Sequence, residues 1–590
     1  MLWSWRGLII IARAVGWPTY PEKIEEMDRE LTRVIEDFNH AVDVEGLRLA
    51  KKIGERLLPL RCDNWFSMTR VETRVEARAE QDLLLTRLEP VKTNYDLTLC
   101  CMEGTRETLL NQVIAWAANG SDSGSIYWIH GLPGIGKTSL AHSICEKLHS
   151  KQQLAGVFFC QRDDANMSEL RNILPTFIFK LAEILPPFRT IVAQCLRSDP
   201  NLTSTSMKDS LFLEFICNLS RHPNHALVIV IDALDECGDD QNRPVLLKVL
   251  TAAASHASWL KIIVTSRPED EIQKFFNRLP RSSYLRYDLG KDQDAGADLQ
   301  TFARSQFDLV AQKWCLSIPW PEQPLFDGVI SQANGLFIFI KTLVLTLKQC
   351  EDPEETLKAA LEGSAITGLT PLYNLYSSIL KARGVPNNAE FRQVIGVLLT
   401  AAPYRTLCEE SIGELAGVRT NLVKKWVNDL SSLLYRDEAA NGGIRVRHLS
   451  ISDFFVSDHC AYQVSLVDAN VQLGIACLKT MVKQLRFNIC KLDDSRLANA
   501  EIHDLPSRIK EHISDALQYS CLYWSNHVCF TPNNGDRCLW GMLKEFFEGL
   551  YGLFWVEVLS LLGMVSIGAP SLRRVISWAE VSLAPYFHPE

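Results

Sequence analysis

The sequence has no C-x-x-C pair, no dense basic block, no internal repeat array and no uncharged apolar run of about twenty residues. Its 17 cysteines are odd in number and scattered. That argues against a disulfide framework and a zinc site, and predicts a reducing compartment, hence the cytoplasm. Lys and Arg number 61 against 70 Asp and Glu, a net charge of −9. Nucleic acid is therefore not the expected partner. The apolar run Leu8–Ala12 is too short to span a membrane and is interrupted by Arg13, with no convincing cleavage site after it. A longer apolar stretch, Phe546–Ile567, contains Glu548 and Glu557 and reads as a buried helix pair. No membrane span is expected.

Among 590 residues, 47% are hydrophobic and 22% charged. These proportions suit an ordinary globular chain of several domains, with ample residues to build cores. One stretch carries the chemistry. Gly131, Gly136, Lys137 and Thr138 match G-x-x-x-x-G-K-[ST], the phosphate-binding loop or Walker A pattern. Ile126–His130 before it reads as a strand, and Ser139–Leu148 after it has apolar residues at helical spacing. Backbone N–H groups over Gly131, Pro133, Gly134, Ile135, Gly136, Lys137, Thr138 and Ser139 would surround phosphate oxygens wherever a residue carries one. The helix behind adds its positive end. Lys137 would reach the terminal phosphates, and the Thr138 hydroxyl would sit on Mg²⁺.

About 95 residues after Lys137, the apolar run Ala226–Ile231 ends in Asp232-Ala233-Leu234-Asp235-Glu236. A carboxylate at the tip of a buried strand can hold Mg²⁺ through water, the Walker B role, and Asp232 is assigned to it. Asp235 or Glu236 would orient or deprotonate an attacking water. The alternative is that these acids cap a following helix. Leu260–Thr265 reads as another strand and ends in Ser266-Arg267-Pro268. Arg267 is placed to sense or stabilise terminal-phosphate charge. The alternative is a salt bridge to Glu269 or Asp270. Strands alternating with helices predict an α/β P-loop NTPase core, a mostly parallel sheet wrapped by helices.

The predicted organisation is a helical N-terminal region (1–95), a linker helix and connector (96–124), the NTPase core (125–280), a helical domain (281–385), a winged-helix domain (386–460) and a C-terminal helical region (461–590). In the first of these, Pro21–Phe38, Glu45–Leu58 and Arg70–Leu88 read as helices. Ala155–Cys160 reads as a strand, Met167–Ile184 and Ser206–Leu219 as helices, and Glu269–Leu380 as helical. Glu390–Leu399, Ser411–Leu415 and Asn421–Leu434 read as three helices. Leu433–Tyr435 and Ile444–His448 read as strands around the turn Asn441-Gly442-Gly443. The third of those helices has only Arg419, Lys424 and Lys425 as basic residues, which does not support DNA reading.

The phosphate loop, the DALDE segment after an apolar strand and the TSRP segment resemble the NACHT family of STAND-class signal-transducing NTPases. They are similar to NOD-like receptors, and above all to fungal NACHT proteins related to heterokaryon-incompatibility factors, with a nephrocystin-3-like N-terminal NTPase. The lead-in Cys101–Arg106 with Trp116, the segments Gly335–Ile338 and His448–Phe455, and Leu485–Cys490 with Tyr523, Trp524 and His527 also resemble the fungal proteins. The resemblance covers about Thr98 to Trp578. It implies a switch using ATP/ADP or GTP/GDP with Mg²⁺ and hydrolysing slowly. A bound diphosphate would keep the core and winged helix closed. Exchange to triphosphate would open the molecule and allow homo-oligomers to form, in fungal non-self recognition or programmed cell death. His448 would touch the diphosphate; the alternative is a strand histidine packed at a domain joint. Such relatives usually carry repeats after the helical region. None follows here, so the sensor is expected to be missing, supplied by another protein, or lost from the gene. An effector is equally unidentified. The competing readings are a metabolic or transport NTPase, a scaffold stabilised by nucleotide without switching, and a winged-helix regulator of transcription.

Overall fold

The computed structural model describes residues 78, 80–118, 124–198, 212–217, 225–361, 369–438, 442–493, 497–531 and 537–587. The expected helices Pro21–Phe38 and Glu45–Leu58 lie outside these residues, as do the run Leu8–Ala12, the first part of Arg70–Leu88 and most of Ser206–Leu219. Two compact units divide the chain: Arg78–Gly413 with Gly417–Val464, and a second holding Ser465–Glu590 with Glu414–Ala416.

The first unit is built on a parallel sheet of β1 (Ile126–His130), β2 (Leu154–Phe159), β3 (Leu227–Asp232), β4 (Leu260–Ser266) and β5 (Tyr284–Asp288), in the order β2-β3-β4-β1-β5. Every residue of β1, β3 and β4 is buried. Their β-branched and aromatic side chains suit a pleated surface covered on both faces. The register sets Val230 beside Ile263 and Trp128 beside Val264. Trp128 stacks on Phe276 at 4.5 Å, and its Nε1 donates to Ser266 Oγ at 2.9 Å. Helices Glu107–Ala118, Lys137–Ser150, Ile173–Ile184, Pro186–Ser198, Arg243–His256 and Asp270–Arg278 accompany the sheet.

β5 corrects the expectation of a wholly helical stretch from Glu269. It is an edge strand with one neighbour, β1, and Tyr284 is its one fully buried residue. A strand covered so little needs no apolar run, and this one carries Arg286 and Asp288. The sheet therefore runs past residue 280.

Helices Ala295–Trp314, Gln323–Ala333, Phe337–Leu347, Pro353–Leu361 and Thr370–Ala382 follow. Then Ala389–Ala401, Glu409–Ala416 and Thr420–Asp429 lead into an antiparallel hairpin, β6 (Leu434–Asp437) and β7 (Gly443–Val446), in winged-helix form. The third helix ends at Asp429, short of the predicted Leu434, because Leu434 is drawn into pairing with Val446. His448 is not in a strand. It is the N-cap of helix Leu449–Val456, and its Nδ1 accepts from Ser450 N at 3.1 Å. That local bond competes with continuing the strand. Lys424 is spent on a surface pair with Glu410 at 2.6 Å.

The second unit holds helices Leu466–Gln484, Leu505–His512, Asp515–Cys529, Arg537–Glu548, Tyr551–Leu561 and Gly568–Phe587. Gly474 lets two of them approach closely: a Cβ there would meet Val528 N at 3.3 Å. Buried His527 bridges Tyr519 OH (2.6 Å) and Asn470 Oδ1 (2.8 Å). Glu557, in the predicted buried helix pair, accepts from the backbone N–H groups of Asn488 and Ile489. Among the described residues, no helix is long and apolar enough to cross a membrane.

Candidate functional site

The phosphate-loop segment leaves β1 at His130 and enters helix Lys137–Ser150. Gly134 and Gly136 take φ of 80° and 98°, a region that side chains disfavour. The loop's carbonyls are held by identifiable donors. Lys137 Nζ donates to Gly131 O at 2.8 Å and Leu132 O at 3.1 Å. Ile338 N donates to Gly134 O at 3.1 Å, and Arg106 Nη2 to Ile135 O at 3.2 Å. Because C=O and the next N–H point oppositely across a trans peptide, pinning the Ile135 carbonyl also aims the Gly136 N–H. The helix start has no side-chain cap, since its N-cap is Gly136. Its first N–H groups thus form the kind of helix end that takes an anion. Pro133 and Ile135 are buried in the turn, Ser139 is half-buried in the helix, and Thr138 is exposed beside them.

The sheet order inserts β4 between β1 and β3, and this brings the other predicted residues together. Asp232, buried at the end of β3, accepts from the Thr265 hydroxyl, and the Thr138 hydroxyl lies close enough to favour its charge. Thr265 Oγ1 in turn accepts from Ala233 N at 2.9 Å. Burial pushes the Asp232 carboxyl up, against the pull of these hydroxyls and of Lys137. Burial also lowers Lys137, while Asp235, Asp232 and Glu236 favour its charge. Asp235 caps no helix: it accepts from Arg267 N at 2.8 Å and pairs with Arg267 Nε at 3.2 Å. Glu236 is pushed up to about 8, first by desolvation and then by the Asp235 and Asp232 carboxylates. Arg267 pairs with Asp235 and Asp453, not with Glu269 or Asp270. Burial opposes its charge, but the two carboxylates outweigh burial and hold its pKa above the usual value.

His448 also reaches the loop. Its Cε1 lies 3.8 Å from the position a Cβ on Gly134 would occupy. Nδ1 accepts from Ser450 N, so the neutral ring carries its proton on Nε2. Burial, then Lys137 and Arg267, lower its pKa to about 3.

Residues 104–267 match a protein-family model, Nephrocystin 3, N-terminal. The match spans a minority of the chain and contains the phosphate loop, Asp232 and Arg267, in agreement with the nephrocystin-3-like part of the resemblance. A comparison with curated proteins finds no match. Among solved structures, the chain is similar to the Walker-type ATPase PABY2304 of Pyrococcus abyssi, with 13% identity over 59% of this chain and 95% of that one and a TM-score of 0.29. It is also similar to the Aeropyrum pernix ORC1 protein in complex with DNA, with 11% identity over 63% and 96% and a TM-score of 0.30. Cdc6p from Pyrobaculum aerophilum gives 14% identity over 59% and 90%, with a TM-score of 0.28. At these TM-scores the likenesses carry no weight for function. The chain's own sheet and loop have the P-loop NTPase fold.

Three further residues shape the site from motif-bearing segments whose local sequence gives no sign of their contacts. Thr265 comes from TSRP and Asp453 from the His448 segment. Arg106, from the lead-in, is buried with φ of 58° and pairs with Asp292 and Asp298. Its guanidinium lies 5.4 Å from the Phe337 ring centroid.

Two buried histidines, His130 and His142, and the half-buried His448 give this unit an acid sensitivity. His130 and His142 are lowered to about 4 and His448 to about 3, from 6.5, with burial the largest cause in each. Below pH 6.5 the unfolded chain takes up protons that the fold refuses, so stability falls as pH drops from 6.5 toward 4. Each histidine contributes about 1.4 kcal/mol per pH unit. Glu236 acts with the opposite sign between 4.5 and about 8, where the fold retains a proton the unfolded chain has lost. Replacing His448 with Asn is expected to make acid destabilisation shallower by about one proton. Denaturant titrations across this pH range check it, and an unchanged slope would refute the neutral imidazole at His448.

Proposed function

We propose that this chain is a nucleotide-operated signalling switch of the NACHT and STAND kind. It would bind ATP/ADP or GTP/GDP with Mg²⁺, hydrolyse slowly, close on diphosphate and open on triphosphate. The observation that carries this reading is the approach of His448 to Gly134. A residue of the winged-helix segment stands over the phosphate loop, so what occupies the loop bears on whether that segment stays docked. A turnover enzyme that must admit and release substrate freely has no evident use for that contact.

The residues fit the group. The loop and uncapped helix start would take the phosphates, with Lys137 as their cation. Mg²⁺ would sit with Thr138 and Asp232, a hydroxyl and a carboxylate that lie close together. Among the described residues no three His, Cys, Asp or Glu side chains are arranged to hold a metal, so phosphate and water oxygens would complete its shell. Bound Mg²⁺ would neutralise charge developing on the phosphates. His448 Nε2–H is the donor for a bound diphosphate. Asp235 and Glu236 are the candidates to orient water. Asp235 is engaged with Arg267, and Glu236 holds its proton near neutral pH, both of which favour slow hydrolysis.

The working parts in this proposal are the core of 125–280 extended through Tyr284–Asp288, the helical segment to 385, the winged helix of 386–460 and the helical remainder. Homo-oligomers formed on exchange, an effector or sensor protein, and a role in fungal non-self recognition or cell death belong to the same proposal. The test is to denature the purified chain and identify the released nucleotide by chromatography and mass. ADP or GDP near one per chain supports the switch. A chain that neither carries nor binds either nucleotide overturns it.

A further inference from the structure

Arg162 and Asp163, adjacent just past β2, carry opposite charges, and each faces its opposite on the winged-helix segment. Arg162 Nη1 lies 3.7 Å from Asp453 Oδ1. Asp163 Oδ2 accepts from Arg445 Nη1 at 3.1 Å, and Arg445 is braced across the hairpin by Asp437 at 2.8 Å. Asp453 Oδ2 also lies 2.8 Å from Arg267 Nη2, while the Nε of the same guanidinium pairs with Asp235. A charge chain, Asp235–Arg267–Asp453–Arg162, therefore joins the acids at the tip of β3 to the helix that His448 caps. The reversed pair, Asp163–Arg445, sits beside it and fixes its register, because sliding the segment would set like charges together.

We infer that Asp453 is a positioning residue for Arg267, holding the guanidinium toward the winged helix in competition with a nucleotide's terminal phosphate. This rests on the switch reading above. Arg267 has two anionic partners. Asp235 belongs to the core and stays beside it through the backbone N–H of Arg267 as well. Asp453 is the partner that can leave, because it travels with the winged-helix segment. A third anion drawing on Arg267 therefore weakens the hold on Asp453. By reciprocity, docking of Asp453 weakens the hold on that anion. One guanidinium then couples phosphate number to winged-helix docking, which His448 alone, facing the loop at Gly134, does not explain.

The test measures Kd for ADP and GDP and for their β,γ-imido triphosphate analogues, each with Mg²⁺, on the full chain. Asp453→Asn keeps the shape and removes the charge. It is expected to raise the preference for triphosphate over diphosphate roughly tenfold, the size set by one partly buried ion pair. Asp453→Glu, which keeps the charge, is expected to restore most of the wild-type ratio. With Arg267→Gln already present, Asp453→Asn should change the ratio less than about twofold. Equal weakening of both nucleotides, or the same shift without Arg267, would overturn the inference and leave the switch reading standing. A wild-type chain that binds neither nucleotide would overturn both.

Discussion

Replacing Lys137 with alanine is expected to weaken diphosphate and triphosphate binding by roughly a hundredfold or more, the loss of a charged hydrogen bond in a buried site. Lys137 is the buried cation of the loop, 9% exposed, and its Nζ is already poised over the carbonyls of Gly131 and Leu132. Among the described residues, the two guanidiniums at the site are already engaged. Arg267 is committed to Asp235 and Asp453, and Arg106 to Asp292, Asp298 and Ile135 O. The effect on folding is expected to be far smaller than on binding. Burial lowers the Lys137 pKa, so holding the ammonium there costs stability that truncation returns. Against that, truncation leaves two loop carbonyls without their donor. Lys137→Met keeps the stem and removes the charge. It should lose binding like the alanine variant while unfolding closer to the wild-type temperature. Calorimetric titration with ADP and GDP checks the first part and thermal unfolding the second. Unchanged affinity in both variants would remove the phosphate-binding assignment of the loop.

The loop and Asp232 were legible in the sequence because their signals are local. Gly131 and Gly136, a lysine and a hydroxyl at fixed spacing, and an acid ending a six-residue buried strand can each be read without neighbours. Strands β1 to β4 were legible for the same reason, since covering both faces demands continuous apolar runs. β5 was not, because an edge strand with an exposed Leu285 and Arg286 satisfies no such demand. The order of strands was also hidden. Nothing between Ala257 and Pro268 announces that β4 will lie between β1 and β3 and deliver Thr265 to Asp232. His448 shows a third kind of limit. Alternating residues before it suggest a strand, but a bond of its own Nδ1 to Ser450 N starts a helix instead. Arg106 and Asp453 stand in stretches that drew notice for other reasons. Their partners lie far along the chain, at Ile135 and Asp292 for one and at Arg162 and Arg267 for the other, so their roles exist only in the fold.

Gly134→Ala is expected to cost the closed arrangement about 2–4 kcal/mol, combining a residue forced to positive φ with an overpacked contact. Gly134 holds φ of 80°. A Cβ there would stand 2.0 Å from Ile338 Cγ2 and 2.8 Å from Ile338 Cβ. The second distance decides the outcome. A flexible tip could swing aside, but Cβ is fixed to a backbone whose N–H donates to Gly134 O at 3.1 Å. Ile338 lies in the first turn of helix Phe337–Leu347, entered through Asn334 and Gly335 at φ of 47° and 81°. That entry leaves the helix start little room to retreat. The added methyl must therefore separate the phosphate loop from this helix, or distort the loop. Hydrogen exchange is expected to quicken at the start of Phe337–Leu347, and any bound diphosphate to leave faster. Ile338→Ala removes the 2.0 Å contact and leaves the 2.8 Å one. Added to Gly134→Ala, it should recover part of the loss, with the backbone cost remaining. A double variant whose unfolding free energy is the simple sum of the two single variants would show that the loop and helix are not coupled at this contact. Coupling would mean that the loop transmits its state through Gly134 in two directions at once, to Ile338 by direct contact and to His448 above it.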